Sequence, residues 1–169
     1  MKKVLLGCGI MFGLLVVVFL GGAMWLGMMI ESGNMPDTTV VAGNKLSKAA
    51  RDAIDKAVTL RPDETIVYFY SMGLLSWEED GNLITNQRVV SYSQFEGELF
   101  VDEADYEQFE EVYTSFFESW LDDSAVTIVT KQGDEFTIYL SNESDLDHAA
   151  VEYIERQSGL KAENVAPVE

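Results

Sequence analysis

The chain has 169 residues, with 29 Asp and Glu against 11 Lys and Arg and a formal charge of −18. With the leading apolar stretch set aside, roughly 115 residues remain to fold, enough for one core and one domain. This acidity argues against nucleic acid and against anionic or phosphoinositide headgroups as partners, because both are held by Lys and Arg.

Lys2 and Lys3 precede an uncharged run from Val4 to Ile30, in which fourteen residues are Leu, Ile, Val or Phe. As a helix the run would rise about 40 Å, more than the roughly 30 Å of a bilayer's hydrocarbon core. Residues 1–30 are therefore predicted to be a single-pass transmembrane anchor. Two rival readings use the same stretch. A signal peptide could be cleaved near Gly21 and Ala23, which would leave a greasy new terminus from Met24. A lipoprotein site could use Leu5-Leu6-Gly7-Cys8, but its apolar stretch follows the cysteine instead of preceding it. Two lysines before the run, with Glu31 and Asp37 after it, place the N-terminus in the cytoplasm and the remainder on the periplasmic side of the cell membrane. Gly9 and Gly13 form a G-x-x-x-G pair that could bring two such helices together as a homodimer, although six glycines in the segment make chance spacing the favoured account. Cys8 is the sole cysteine, so the rest of the chain has neither disulfide nor thiolate metal site.

Residues 31–43, with Pro36 and several Gly, Ser and Asn, read as a linker. Leu46, Ala50, Ala53, Ile54 and Ala57 recur at helical spacing and predict a helix over about 45–60, ended by Arg61-Pro62. The texture then turns β-branched and aromatic at Thr65–Tyr70, Leu74–Trp77, Leu83–Ile84 and Val89–Tyr92, with Asp80-Gly81 read as a hairpin turn. Between residues 104 and 121, Tyr106, Phe109, Tyr113, Phe116 and Trp120 share a helical face, while Thr114, Phe116 and Glu118 also suit an alternating strand. Ala125–Thr130 and Glu135–Leu140 flank Lys131–Asp134 as a hairpin. Leu146, Ala149, Ala150, Tyr153 and Ile154 form the stripe of a terminal amphipathic helix, with Ser144 as N-cap and Gly159 as stop. Residues 44–158 thus form one acidic domain, and 159–169 are expected to be a frayed tail.

Several short blocks resemble the bacterial pleckstrin-homology-like domains. They are Asp63-Glu64-Thr65-Ile66 at the start of a strand, the hairpin block Leu83–Tyr92, and Phe109-Glu110-Glu111-Val112, followed by Gly133–Leu140 and the helix from 145. The resemblance covers about 63–157. It implies an α+β fold: behind the transmembrane helix, an antiparallel sheet or partly open barrel of about seven strands, with a preceding helix and a C-terminal helix. It also implies strand for much of 112–120, with a helical turn near 105–111. The family name suggests phosphoinositide binding, but that chemistry needs clustered cations, and none occurs between Val89 and Thr130. Arg88 is expected to make a structural ion pair with a nearby carboxylate.

No pattern in the sequence carries catalysis. His148 is the lone histidine and is expected on the solvated side of the last helix; no G-x-S-x-G elbow or phosphate loop occurs. No catalytic residue and no cofactor is assigned. Asp102, Asp105, Asp122 and Asp123 are weak candidates for a divalent cation, without a D-x-D-x-D-G loop to organise them. The chain is thus expected to be a membrane-anchored, non-enzymatic interaction module that binds another protein or a peptide. The alternative is a divalent-cation or ligand sensor using the acidic 96–123 stretch.

Overall fold

Leu83-Ile84 and Val89-Val90 are adjacent apolar pairs where a half-buried strand would alternate, and the computed structural model of the chain shows both faces of their sheet covered. It describes residues 16–22, 24, 27–28, 35–36, 38–73, 76–117, 122–143 and 145–166. The first sheet is β1 (Val41–Ala42), β2 (Ile66–Tyr70), β3 (Asp80–Thr85), β4 (Arg88–Phe95) and β5 (Glu98–Asp105), in that order and antiparallel throughout. The second holds β6 (Phe109–Ser115), β7 (Ser124–Thr130), β8 (Glu135–Leu140) and β9 (Glu163–Asn164), in the order β8-β7-β6-β9, with β9 parallel to β6. Helix α1 (Lys48–Ala57) precedes β2, and helix α2 (Leu146–Ser158) follows β8.

Leu83 pairs with Val90 and Ile84 with Val89. Leu83 and Val90 join Ala50, Ile54 and Phe69 in a core beneath α1. Ile84 and Val89 join Val126, Ile138 and Ile154 in the core shared with the second sheet and α2. A strand buried on both faces has no polar side to show, hence the paired apolar residues. Helix α1 is capped by Ser47, whose hydroxyl accepts from the Ala50 N–H at 3.1 Å, and it buries Ala50, Ala53 and Ile54 at the expected spacing.

The expected fold class is corrected in one respect, its transmembrane helix. Among the described residues no helix is long and apolar enough to cross a membrane. The described helical residues in that region are 16–22, 24 and 27–28, whereas a span needs about 20 consecutive apolar residues in one helix. Residues 1–15, including Cys8, Gly9 and Gly13, lie outside the described residues, as do Trp25 and Ser144.

Three local expectations also change. Asp80-Gly81 opens β3 instead of making a turn, and the reversal falls at Trp77–Glu79. Gly81 is needed for a different reason: the ring of Tyr92 lies across it, and a Cβ there would stand 2.3 Å from the ring. Within residues 31–43, Val40 is buried and β1 pairs with Phe69 and Tyr68. Beyond residue 159, β9 pairs with Tyr113 and Thr114. The ambiguous stretch is a 3-10 turn at Tyr106–Gln108 followed by β6, in keeping with the PH-like template as far as Ser115; residues 118–121 lie outside the described ones.

Candidate functional site

The β4–β5 hairpin is fixed at one end by a buried charge network and is bare at the other. At the fixed end, Arg88 and Glu64 are both buried, one at the start of β4 and the other in the loop leading to β2. The Glu64 carboxylate accepts from Arg88 Nε at 2.8 Å and Nη2 at 3.1 Å, from the Thr85 hydroxyl at 2.9 Å and from the Arg61 N–H at 2.7 Å. Burial pushes the Glu64 carboxyl up, but these donors outweigh it and hold the carboxyl below its usual range. Arg88 also donates from Nη2 to the Thr59 carbonyl at 2.9 Å and from Nη1 to Glu103. Burial disfavours its charge, and the Glu64 and Glu103 carboxylates more than compensate, so its pKa is raised. Arg61 reaches across to Asp105 at 2.6 Å. Arg88 thus makes the structural ion pair expected of it, and its guanidinium is committed to the interior.

At the bare end the turn consists of Glu96 and Gly97, with φ of 53° and 85°. Two central residues with positive φ between the closing pair Phe95 and Glu98 make a type I′ turn, whose twist suits a hairpin. Beyond the body of the domain the hairpin exposes Phe95 (68%), Phe100 (49%), Leu99 (46%) and Val101 (40%). Cross-strand partners share a face. Phe100 pairs with Ser93 on the face that carries Val89 and Ala104, while Leu99 and Val101 pair with Gln94 and Tyr92 on the α1 face. Glu96, Glu98 and Asp102 are exposed around them, and no Lys or Arg occurs from Val89 to Thr130.

Strand β5 is the last of its sheet. The Asp105 N–H donates to the Gln108 side chain at 2.8 Å, so it points away from β4. Because outward and inward residues alternate along a strand, the backbone groups of Leu99, Val101 and Glu103 also face outward. Sequence reasoning did not single out this edge. Only the hairpin had a local signal, the turn pair Glu96-Gly97 between Gln94-Phe95 and Leu99-Phe100-Val101.

The four weak cation candidates are not brought together. Asp102 is exposed on β5, and Asp105 is held by Arg61. Asp122 is exposed before β7, and Asp123 accepts from the Tyr70 hydroxyl at 2.9 Å. Burial raises the Asp123 carboxyl, the Tyr70 hydroxyl opposes that rise, and the nearby Glu143 and Asp122 charges add to it. Among the described residues no three His, Cys, Asp or Glu are grouped to hold a metal ion, so the sensor alternative gains no geometric support. His148 is exposed and stacks on Phe116, with ring centroids 4.1 Å apart. An open groove of about 400 Å³ runs past the end of α2, between Glu155, Arg156 and Lys161.

Strands β2–β8, antiparallel in two sheets over a shared core with α2 closing it, have a pleckstrin-homology-like fold. The fold is similar to that of a DUF1696 family protein with a pleckstrin-homology domain from Shewanella loihica, at 14% identity and a TM-score of 0.49 over 71% of this chain and 96% of that one. It is also similar to a pleckstrin homology domain from Shewanella amazonensis, at 13% identity and a TM-score of 0.47 over 66% and 88% of the two chains. A PH-domain-containing bacterial protein from Exiguobacterium sibiricum is similar at 17% identity and a TM-score of 0.49, over 72% of this chain and 61% of that one. No protein-family model and no curated protein matches the sequence.

Proposed function

We propose that this PH-like domain is a non-enzymatic interaction module and that it binds a protein or peptide through the β4–β5 hairpin. The observation that carries this reading is the cluster of Phe95, Leu99, Phe100 and Val101, each at least 40% exposed, on the hairpin's outer half. Phe95 and Phe100 lie on one face and Leu99 and Val101 on the other, and large apolar side chains gathered on one exposed element are characteristic of interaction surfaces. A phosphoinositide is disfavoured as ligand, because residues 89–130 carry no cation, Arg61 is paired with Glu103 and Asp105, and Arg88 is held inside by Glu64 and Glu103.

The test is site-specific photocrosslinking in cells that make the full chain. Phe100 is replaced by a photoreactive phenylalanine analogue in one sample, and exposed Glu152 on α2 in another. The reading expects a discrete adduct from position 100 and none from position 152; equal yields, or none from either, would overturn it. Phe95→Ser combined with Phe100→Ser should lower the adduct yield from a probe at position 99 about tenfold, since exposed aromatics dominate such contacts. The melting temperature should stay within about 2 °C, because neither side chain lies in a core.

A further inference from the structure

We infer that the outer edge of β5 accepts an extended peptide as a sixth strand of the first sheet, and that this peptide reads basic-apolar-apolar-apolar-basic. The inference rests on the interaction-module reading and specifies its partner.

The backbone makes strand addition possible. The other outer edge of this sheet is occupied by β1, and β6 in the second sheet is lined by β9; both are two-residue strands from the flanks of the domain. Strand β5 spans eight residues, and no strand lies beyond it among the described residues. The outward groups of Leu99, Val101 and Glu103 offer a ladder on which an incoming chain satisfies its own backbone.

The side chains specify the sequence. Along β5, Glu98, Phe100 and Asp102 occupy one face, an aromatic between two carboxylates, while Leu99 and Val101 occupy the other. Directly opposed residues on neighbouring strands share a face and interact pairwise. A strand opposite Glu98–Asp102 therefore matches it with a basic residue at each end, an apolar residue opposite Phe100, and apolar residues opposite Leu99 and Val101. The incoming strand continues the antiparallel pairing of the whole sheet, which bonds its amides opposite Leu99 and Val101 to β5. The same geometry disfavours a second copy of this chain: antiparallel pairing centred on Phe100 would set Glu98 directly against Asp102. The carboxylates that discourage self-pairing thus select a cationic partner.

The test uses the full chain and synthetic nonapeptides with a central Lys-Val-Tyr-Val-Lys, or Glu-Val-Tyr-Val-Glu as control, between Ser-Gly ends. Calorimetry should show the lysine peptide binding and the glutamate peptide at least about tenfold weaker. Glu98→Gln with Asp102→Asn, two exposed positions, should weaken the lysine peptide about fivefold. Two N-methylated lysine peptides, blocked at alternate amides in opposite phases, distinguish strand addition from mere adhesion. One phase should bind like the parent and the other at least about tenfold less tightly, because only alternate amides face β5. Equal binding of the lysine and glutamate peptides, or any other response to the two methylation phases, overturns the inference. So does a dimer in sedimentation that Phe100→Ser dissociates, which would place a second copy on the edge. Peptide failure with the position-100 adduct intact overturns strand addition alone, whereas loss of both overturns the module reading as well.

Discussion

Glu64 accepts four hydrogen bonds from groups that lie three to twenty-four residues away in sequence. Removing its charge leaves Arg88 buried without its main partner, and breaking a buried pair in this way costs about 3 kcal/mol. Glu64→Gln should therefore lower the unfolding free energy by about 3 kcal/mol at pH 7, measured by urea denaturation. Because the folded-state pKa of Glu64 lies below its unfolded value, the carboxylate's contribution is fully present above the ordinary carboxylate range and is lost as pH falls through the folded value. The gap between the two proteins should accordingly close below about pH 4. Asp80 and Asp123 shift in the opposite direction, chiefly through burial, so their contributions are present at low pH and lost as pH rises. Arg88 was legible as an ion-paired residue because it stands alone among acids. Its partner was not, since nothing local distinguishes Glu64 from the other carboxylates.

Among the elements, the β4–β5 hairpin has a non-glycine residue, Glu96, at positive φ in its turn. A side chain with a Cβ costs about 1 kcal/mol there, and asparagine tolerates the conformation far better. Glu96→Asn should raise the unfolding free energy by about 0.5–1 kcal/mol, read from the denaturation midpoint at unchanged slope. The start of β6 shows why its sequence looked helical. A register shift between Phe109 and Glu111 inserts a residue, so the buried positions run Phe109, Val112, Thr114. A β-bulge thereby turns a spacing of two into one of three, and with the 3-10 turn before it sets Tyr106, Phe109 and Val112 at helix-like steps on the buried side, while Tyr113 of the apparent helical stripe falls on the other face of the strand. Helix α1 and the β7–β8 hairpin, with no such irregularity, were readable from periodicity alone. Gly81 misled for another reason: it reads as half of an Asp-Gly turn, whereas its role is to lie under a ring contributed by the neighbouring strand.

At the scale of the whole molecule, the flanks of the domain are part of its sheets. Beyond α2, the Val165 N–H donates to the Thr114 carbonyl at 2.8 Å, and the Ser115 hydroxyl donates to the Val165 carbonyl at 3.1 Å. Truncation after Leu160 should cost about 1–2 kcal/mol, seen as a lower melting temperature, through loss of these bonds at β6. Neither β1 nor β9 was visible in the sequence, because two residues are too few to show a period and their pairing partners are distant. The candidate edge was hidden for a related reason, since its meaning depends on β5 being last in its sheet, a property of topology and not of composition. The long stretch without a cation, Val89 to Thr130, has a kinetic consequence. Its field extends about 10 Å into 0.1 M salt and draws a cationic segment toward the hairpin before any contact forms. Salt should then slow the encounter more than it hastens departure, so a basic partner would find this domain quickly in dilute buffer and far more slowly in brine.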